Sequence, residues 1–124
     1  MRSDITNRTD IEVLINAFYT KAKSDDLIGD FFATEMAIDW EKHLPLMYAF
    51  WDNALFFSGG YSGGMMAVHR HVHERKTMNP AHFERWTDLF RQTVDEHFEG
   101  ETAKRAKQQA MSMALMLQIK IPIV

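Results

Sequence analysis

The stretch DWEKHLPLMYAFWDNAL, residues 39–55, decides the fold class. Within it Trp40, His43, Leu44, Met47, Phe50, Trp51, Ala54 and Leu55 recur at steps of three and four, the period that gathers side chains on one face of an α-helix. A half-buried strand would alternate, and this segment does not. Pro45 has no amide to give the carbonyl four residues back, so the helix is expected to start late or to bend there, tilting His43.

The same period extends to both sides. Upstream, Thr9-Asp10-Ile11-Glu12 has the form of a capping box and opens a helix whose inward face carries Ile11, Leu14, Ile15, Phe18, Tyr19 and Ala22. Gly29 closes that region, and Phe31-Phe32 follow in a short connection. Downstream, the glycine-rich run 58–64 reads as a loop, and Met65 to His73 as a short helical segment. Asn79-Pro80 pairs an N-cap with a proline at the first helical position, ahead of Phe83, Trp86, Phe90, Val94 and His97 at helical spacing. Gly100 is expected to stop that helix. The last one runs from about Thr102 to Ile119, with Ala103, Ala106, Ala110, Met113, Ala114 and Leu117 on one face. The prediction is one all-α domain over residues 1–124, built from five unequal helices.

Composition narrows the function. The chain has 124 residues, 46% apolar and 25% charged, which suits a single domain with one real core. Nine Met and 12% aromatic residues give that core more large, polarizable side chains than packing alone requires, a lining suited to a flat apolar guest. A formal charge of −3 provides no basic field for phosphate backbones, so no nucleic-acid partner is expected. Residues 1–10 lack the apolar core of a signal peptide, and Ser112, Gln118, Lys120 and Pro122 break up the most apolar stretch; a cytoplasmic protein with no membrane association is expected. With no cysteine, thiolate metal sites, disulfides and a thioether-linked haem are excluded. A metal must then be held by histidine or carboxylate.

Candidate ligands concentrate in Val68-His69-Arg70-His71-Val72-His73. His71 points away from His69, whereas His73 lies one turn later on the same side. Three readings stay open on spacing alone: solvated surface histidines, a His69–His73 pair for zinc or copper, or a haem ligand at His69. Tyr19, His43 and Trp86 each have an ordinary reading as core residues with a satisfied polar atom. Together, however, they place one donor on each of three inward faces among aromatics and Met, the expected form of a small-molecule pocket. The carboxylates Asp25-Asp26, Asp95-Glu96 and Glu99-Glu101 fall near helix ends and are read as solvated or dipole-complementing. No nucleophile elbow or phosphate loop surrounds Ser58 or Ser62.

Taken in order, Phe18-Tyr19, Asp39-Trp40 with His43-Leu44-Pro45 and Phe50-Trp51, Tyr61-Ser62-Gly63 ahead of His69, and His82-Phe83-Glu84-Arg85-Trp86 with Leu89-Phe90 resemble the group III truncated haemoglobins. Thr93-Val94-Asp95-Glu96 and Phe98-Glu99-Gly100 continue the resemblance, which covers about Asp10 to Leu117. It implies a truncated-globin-like, two-over-two helical sandwich around one non-covalent haem b (iron protoporphyrin IX), with a reduced first helix. It also implies His69 as the iron ligand, Tyr19, His43 and Trp86 on the distal side, and Phe32, Met47, Met65 and Phe83 against the haem. The family's turn before the proximal helix carries a proline that Gly63-Gly64-Met65 lacks, leaving that entry less rigid.

By the same resemblance the function is binding of a diatomic ligand (oxygen, nitric oxide or carbon monoxide), with nitric oxide dioxygenase or peroxidase-like activity open on the same site and a reductase as a candidate protein partner. The rival is a haem-free helical module that binds a partner or a metal through His69 and His73. A haem sensor or carrier is a third reading.

Overall fold

A computed structural model describes residues 2–32, 39–57 and 79–120, the side chains of Asp30 and of residues 117–120 excepted. The elements are α1 (Arg8–Lys23), a 3-10 turn (Gly29–Phe32), α2 (Trp40–Phe56), α3 (Pro80–His97) and α4 (Glu101–Lys120), with no strand among the described residues. The glycine-rich run and the expected Met65–His73 helix lie outside them.

Helix α1 begins earlier than its sequence signature suggests. Asn7, not Thr9, is the cap: its side-chain oxygen accepts the Asp10 amide at 2.9 Å, while the Asp10 carboxylate accepts the Thr6 amide at 2.9 Å and the Thr6 hydroxyl at 3.0 Å. Asn is the stronger cap, and Asp10 stands three residues from it as Glu12 stands from Thr9. The inward face is the expected one, with Ile11, Leu14, Ile15, Phe18, Tyr19 and Ala22 all buried.

Helix α2 starts at Trp40 and continues through Pro45, so the expected late start does not occur. The Asp39 carbonyl accepts the amides of Lys42 and His43 at 3.1 and 2.8 Å, so the helix is established before the proline removes one bond from the ladder. Of its apolar stripe, Trp51 and Leu55 are buried; Trp40, His43, Leu44, Met47 and Phe50 are only half-buried.

Helix α3 opens as its sequence predicts. The Asn79 side chain accepts the amides of Ala81 and His82, His82 Nδ1 accepts the Asn79 amide at 3.0 Å, and Pro80 occupies the first turn. It ends at His97, before Gly100, and His97 is exposed, not inward, with Nδ1 3.0 Å from the Thr93 carbonyl. Gly100 instead makes the turn into α4, at φ +139°, where a Cβ would come within 2.5 Å of the Asp4 side chain.

That approach exists because Asp4 caps α4 across the chain. Its carboxylate accepts the Thr102 amide at 2.9 Å, the Ala103 amide at 2.8 Å and its neighbour Ile5's amide at 2.8 Å. Burial pushes the Asp4 pKa up, but these amides and the Thr102 hydroxyl outweigh it and hold the carboxyl below its ordinary value. Ile5 is fully buried beside it. One aspartate and one isoleucine thus bind the N-terminal segment to the fold.

Helices α1 and α2 form one packed pair and α3 and α4 the other. The pairs are joined by α1 against α3 and, more weakly, α2 against α4. This is the two-over-two arrangement. Ala103, Ala106, Ala110 and Ala114 are buried on α4 and permit its close approach to α3. Where the layers meet, Phe90 stacks on Trp51 with ring centroids 4.7 Å apart and on Trp86 at 5.7 Å, and Phe18 meets Phe90 edge-on at 5.4 Å. No helix among the described residues is long and apolar enough to cross a membrane.

Candidate functional site

Tyr19 and His43 face each other across the α1–α2 interface because each sits on the apolar stripe of its own helix. The Tyr19 hydroxyl lies 3.0 Å from His43 Nε2. Tyr19 is buried, and its usual core arrangement, a hydroxyl tied to a backbone carbonyl, is replaced here by a bond to a titratable ring. Burial in this apolar setting pushes the phenol's pKa far up, since the phenolate would lose its hydration. Tyr19 is therefore a neutral donor and acceptor at any physiological pH.

The phenol has a single proton, so the His43 tautomer decides what it can do. With the proton on Nε2, His43 donates to the Tyr19 oxygen and the phenol proton is left for a third group. With the proton on Nδ1, Nε2 accepts the phenol proton and Tyr19 keeps only acceptor capacity.

Aromatic edges fix both rings. Tyr19 meets Phe32, Trp40 and Phe18 edge-on, with centroids 5.6, 5.2 and 5.1 Å apart, and Trp40 meets His43 at 5.3 Å and 87°. Trp40, one turn before His43, belongs to the site as much as the residues the sequence singled out. Its signal was available in the i, i+3 spacing, which places it beside His43 on one face.

Behind the pair lies a cavity of about 30 Å³ lined by Ile15, Phe18, Tyr19, Met47, Trp51, Trp86, Phe90 and Met113. That exceeds the roughly 10–15 Å³ a single water needs. Tyr19, Met47 and Trp86 are thus brought to one space, with His43 and Phe32 on the Tyr19 ring. Phe83 is buried on α3, one turn before Trp86, and does not line this cavity. Met65 and His69, together with His71 and His73, lie outside the described residues. Among the described residues no group of three histidines or carboxylates could hold a metal ion.

Asp25, expected as a solvated turn carboxylate, is instead almost covered, with 4% of its side chain exposed. It accepts the Leu27 and Ile28 amides at 3.0 Å each and the Arg85 Nε at 2.8 Å. Arg85, then burial working against it, then those amides set its pKa, and the net direction is down. This pair ties α3 to the turn that carries Phe31 and Phe32.

No family model matches the sequence. The chain is 24% identical over 121 residues to a curated protein from Campylobacter jejuni, the group 3 truncated hemoglobin ctb, covering 95% of this chain and 93% of that one. It also superposes on the crystal structure of group III truncated hemoglobin from Campylobacter jejuni with a TM-score of 0.84, at 24% identity, covering 98% of this chain and 96% of that one. The resemblance carried by the sequence thus extends to the backbone: the chain has the truncated-globin fold and is similar to a group III truncated haemoglobin over nearly its whole length.

Proposed function

We propose that this chain is a haem-binding globin of the group III truncated kind, in which His69 ligates the iron and Tyr19, His43 and Trp86 form the distal wall around a diatomic ligand. The observation that carries the reading is the 3.0 Å Tyr19–His43 contact at the edge of a cavity lined by aromatic, Ile and Met residues. These donors, set among Phe18, Met47, Trp51 and Phe90, suit a small apolar ligand that acquires partial negative charge once bound.

The residues fit the distal half of a haem pocket. Met47 and the half-buried aromatic stripe of α2 offer an apolar face, and among the described residues Tyr19 brings a neutral hydroxyl to it, bonded to His43. When bound, a b-type haem supplies an iron with one coordination position open to oxygen, nitric oxide or carbon monoxide. Tyr19 then donates its phenol proton to the ligand when His43 carries its own proton on Nε2, and Trp86 adds an indole donor from α3. A pair able to pass a proton from His43 through Tyr19 also suits dioxygenation or peroxide chemistry in the cytoplasm, for which a reductase would be the partner.

The absorption spectrum of the purified chain tests this. An intense Soret band is expected, retained in His71→Ala and His73→Ala and lost or greatly weakened in His69→Ala. A chain with no Soret band even after haem addition would overturn the reading and favour a haem-free helical module.

A further inference from the structure

Tyr19 and Lys23 stand one turn apart on α1, and Trp40 and His43 one turn apart on α2. The two helices therefore face each other as a ladder with two rungs. The inner rung is the Tyr19–His43 hydrogen bond at 3.0 Å. The outer rung is the Lys23 ammonium, 3.8 Å from the Trp40 ring centroid. The rungs are joined, because Trp40 also touches Tyr19 at 5.2 Å and His43 at 5.3 Å between centroids. Tyr19 is buried, Trp40 and His43 are half-buried and Lys23 is exposed, so the outer rung lies on the solvent side of the inner one.

We propose that Trp40, with Lys23 seated on its ring, is the positioning residue that keeps His43 against Tyr19, so that the outer rung sets how often the distal pair opens. The reasoning is steric and electrostatic. Tyr19 is wedged by Phe18 and Phe32, so the pair opens by movement of His43, against which the Trp40 ring stands edge-on. Trp40 is in turn held by the ammonium over its ring, an attraction between cation and ring quadrupole. Loss of the cation frees the indole, and the freed indole frees the imidazole.

The inference rests on the distal-pocket reading above, and its test separates the two. The histidine side-chain nitrogens of ¹⁵N-labelled full-length chain are followed by NMR, in the reduced, carbon monoxide-bound form when the chain carries haem. In Lys23→Gln and Trp40→Leu the His43 signals are expected to move toward those of Tyr19→Phe, where the inner bond is lost. In Lys23→Arg and Trp40→Phe, which keep a cation and an aromatic edge, they should stay near wild type. Carbon monoxide association should quicken about two- to fivefold in Lys23→Gln, the population change an exposed cation–π contact sustains. Wild-type His43 signals in both Lys23→Gln and Trp40→Leu at unchanged helicity would overturn the proposal, as would an equal displacement in Lys23→Arg. Should Trp40→Leu lose helicity, the surface substitution Lys23→Gln decides alone. A chain that takes up no haem defeats the distal-pocket reading, while the His43 signals still decide the latch.

Discussion

The Tyr19 hydroxyl is bonded to His43 Nε2, not to a backbone carbonyl, and this one contact makes the two residues a single donor unit. Removing either changes what the other can offer.

Replacing Tyr19 by Phe keeps the ring wedged between Phe18 and Phe32 and deletes only the hydroxyl. A hydrogen bond to a charged acceptor is worth roughly 1.5–3 kcal/mol, so oxygen should dissociate at least about tenfold faster, and carbon monoxide, which carries less charge, should change much less. Stopped-flow dissociation of both ligands checks this. Equal shifts would mean that the cavity had merely changed shape.

Trp86→Phe should act in the same direction as Tyr19→Phe, since the indole lines the same cavity from α3. The phenyl ring can still stack on Phe90, so the packing loss is small. In a double-mutant cycle on oxygen dissociation the two substitutions should fall short of additivity if both donors reach one oxygen. Strict additivity would place them on separate partners.

The buried phenol of Tyr19 should not ionise with the ordinary tyrosines. Its pKa is raised, so the folded state cannot release a proton that the unfolded state releases near the ordinary value of 10.0. The stability it contributes is present below that pH and lost as pH rises beyond it. In an alkaline titration at 295 nm, the tyrosinate absorbance gained below about pH 11 should be the same in wild type and Tyr19→Phe as long as the fold persists. A smaller step in the variant would show that Tyr19 is open to solvent.

Asp4 should govern acid sensitivity. Its folded pKa lies below the ordinary 3.8, so its contribution is present above that value and disappears as pH falls through the lower folded one. Asp4→Ala should cost about 1 kcal/mol at neutral pH, in keeping with the loss of a helix cap. Asp4→Asn should flatten the decline in the urea midpoint between pH 5 and pH 3. Gly100→Ala should be at least as damaging as Asp4→Ala, because it combines a positive φ with a Cβ placed against the Asp4 side chain.

The parts that were legible in the sequence are those governed by local periodicity. The six apolar residues of α1 are the six that are buried, the Asn79-Pro80 signal marks the start of α3, and the alanines of α4 line its contact face. Such stripes are written in one segment and need no knowledge of any other. The misses are long-range: Asp4 finds its partners at Thr102 and Ala103, and Asp25 finds Arg85, pairings that no window of sequence contains. The late start expected at Pro45 failed for a different reason, because a helix already nucleated by Trp40 to Leu44 tolerates the loss of one bond. In the candidate site, the inward phases of Tyr19, His43 and Trp86 were readable, whereas their meeting depends on the register between helices. The same register seats Lys23 on Trp40.

The clasp at Asp4 also orders events in time. A chain leaves the ribosome N-terminal end first, and Asp4 precedes its partner Thr102 by 98 residues. Helices α1, α2 and α3 can all emerge while the first turn of α4 does not yet exist. A nascent chain stopped before Thr102 thus carries a capping group with nothing to cap. The slowest step of its folding is expected to be the return of this early segment to the last helix, a closure of high contact order imposed on an otherwise local, helical fold.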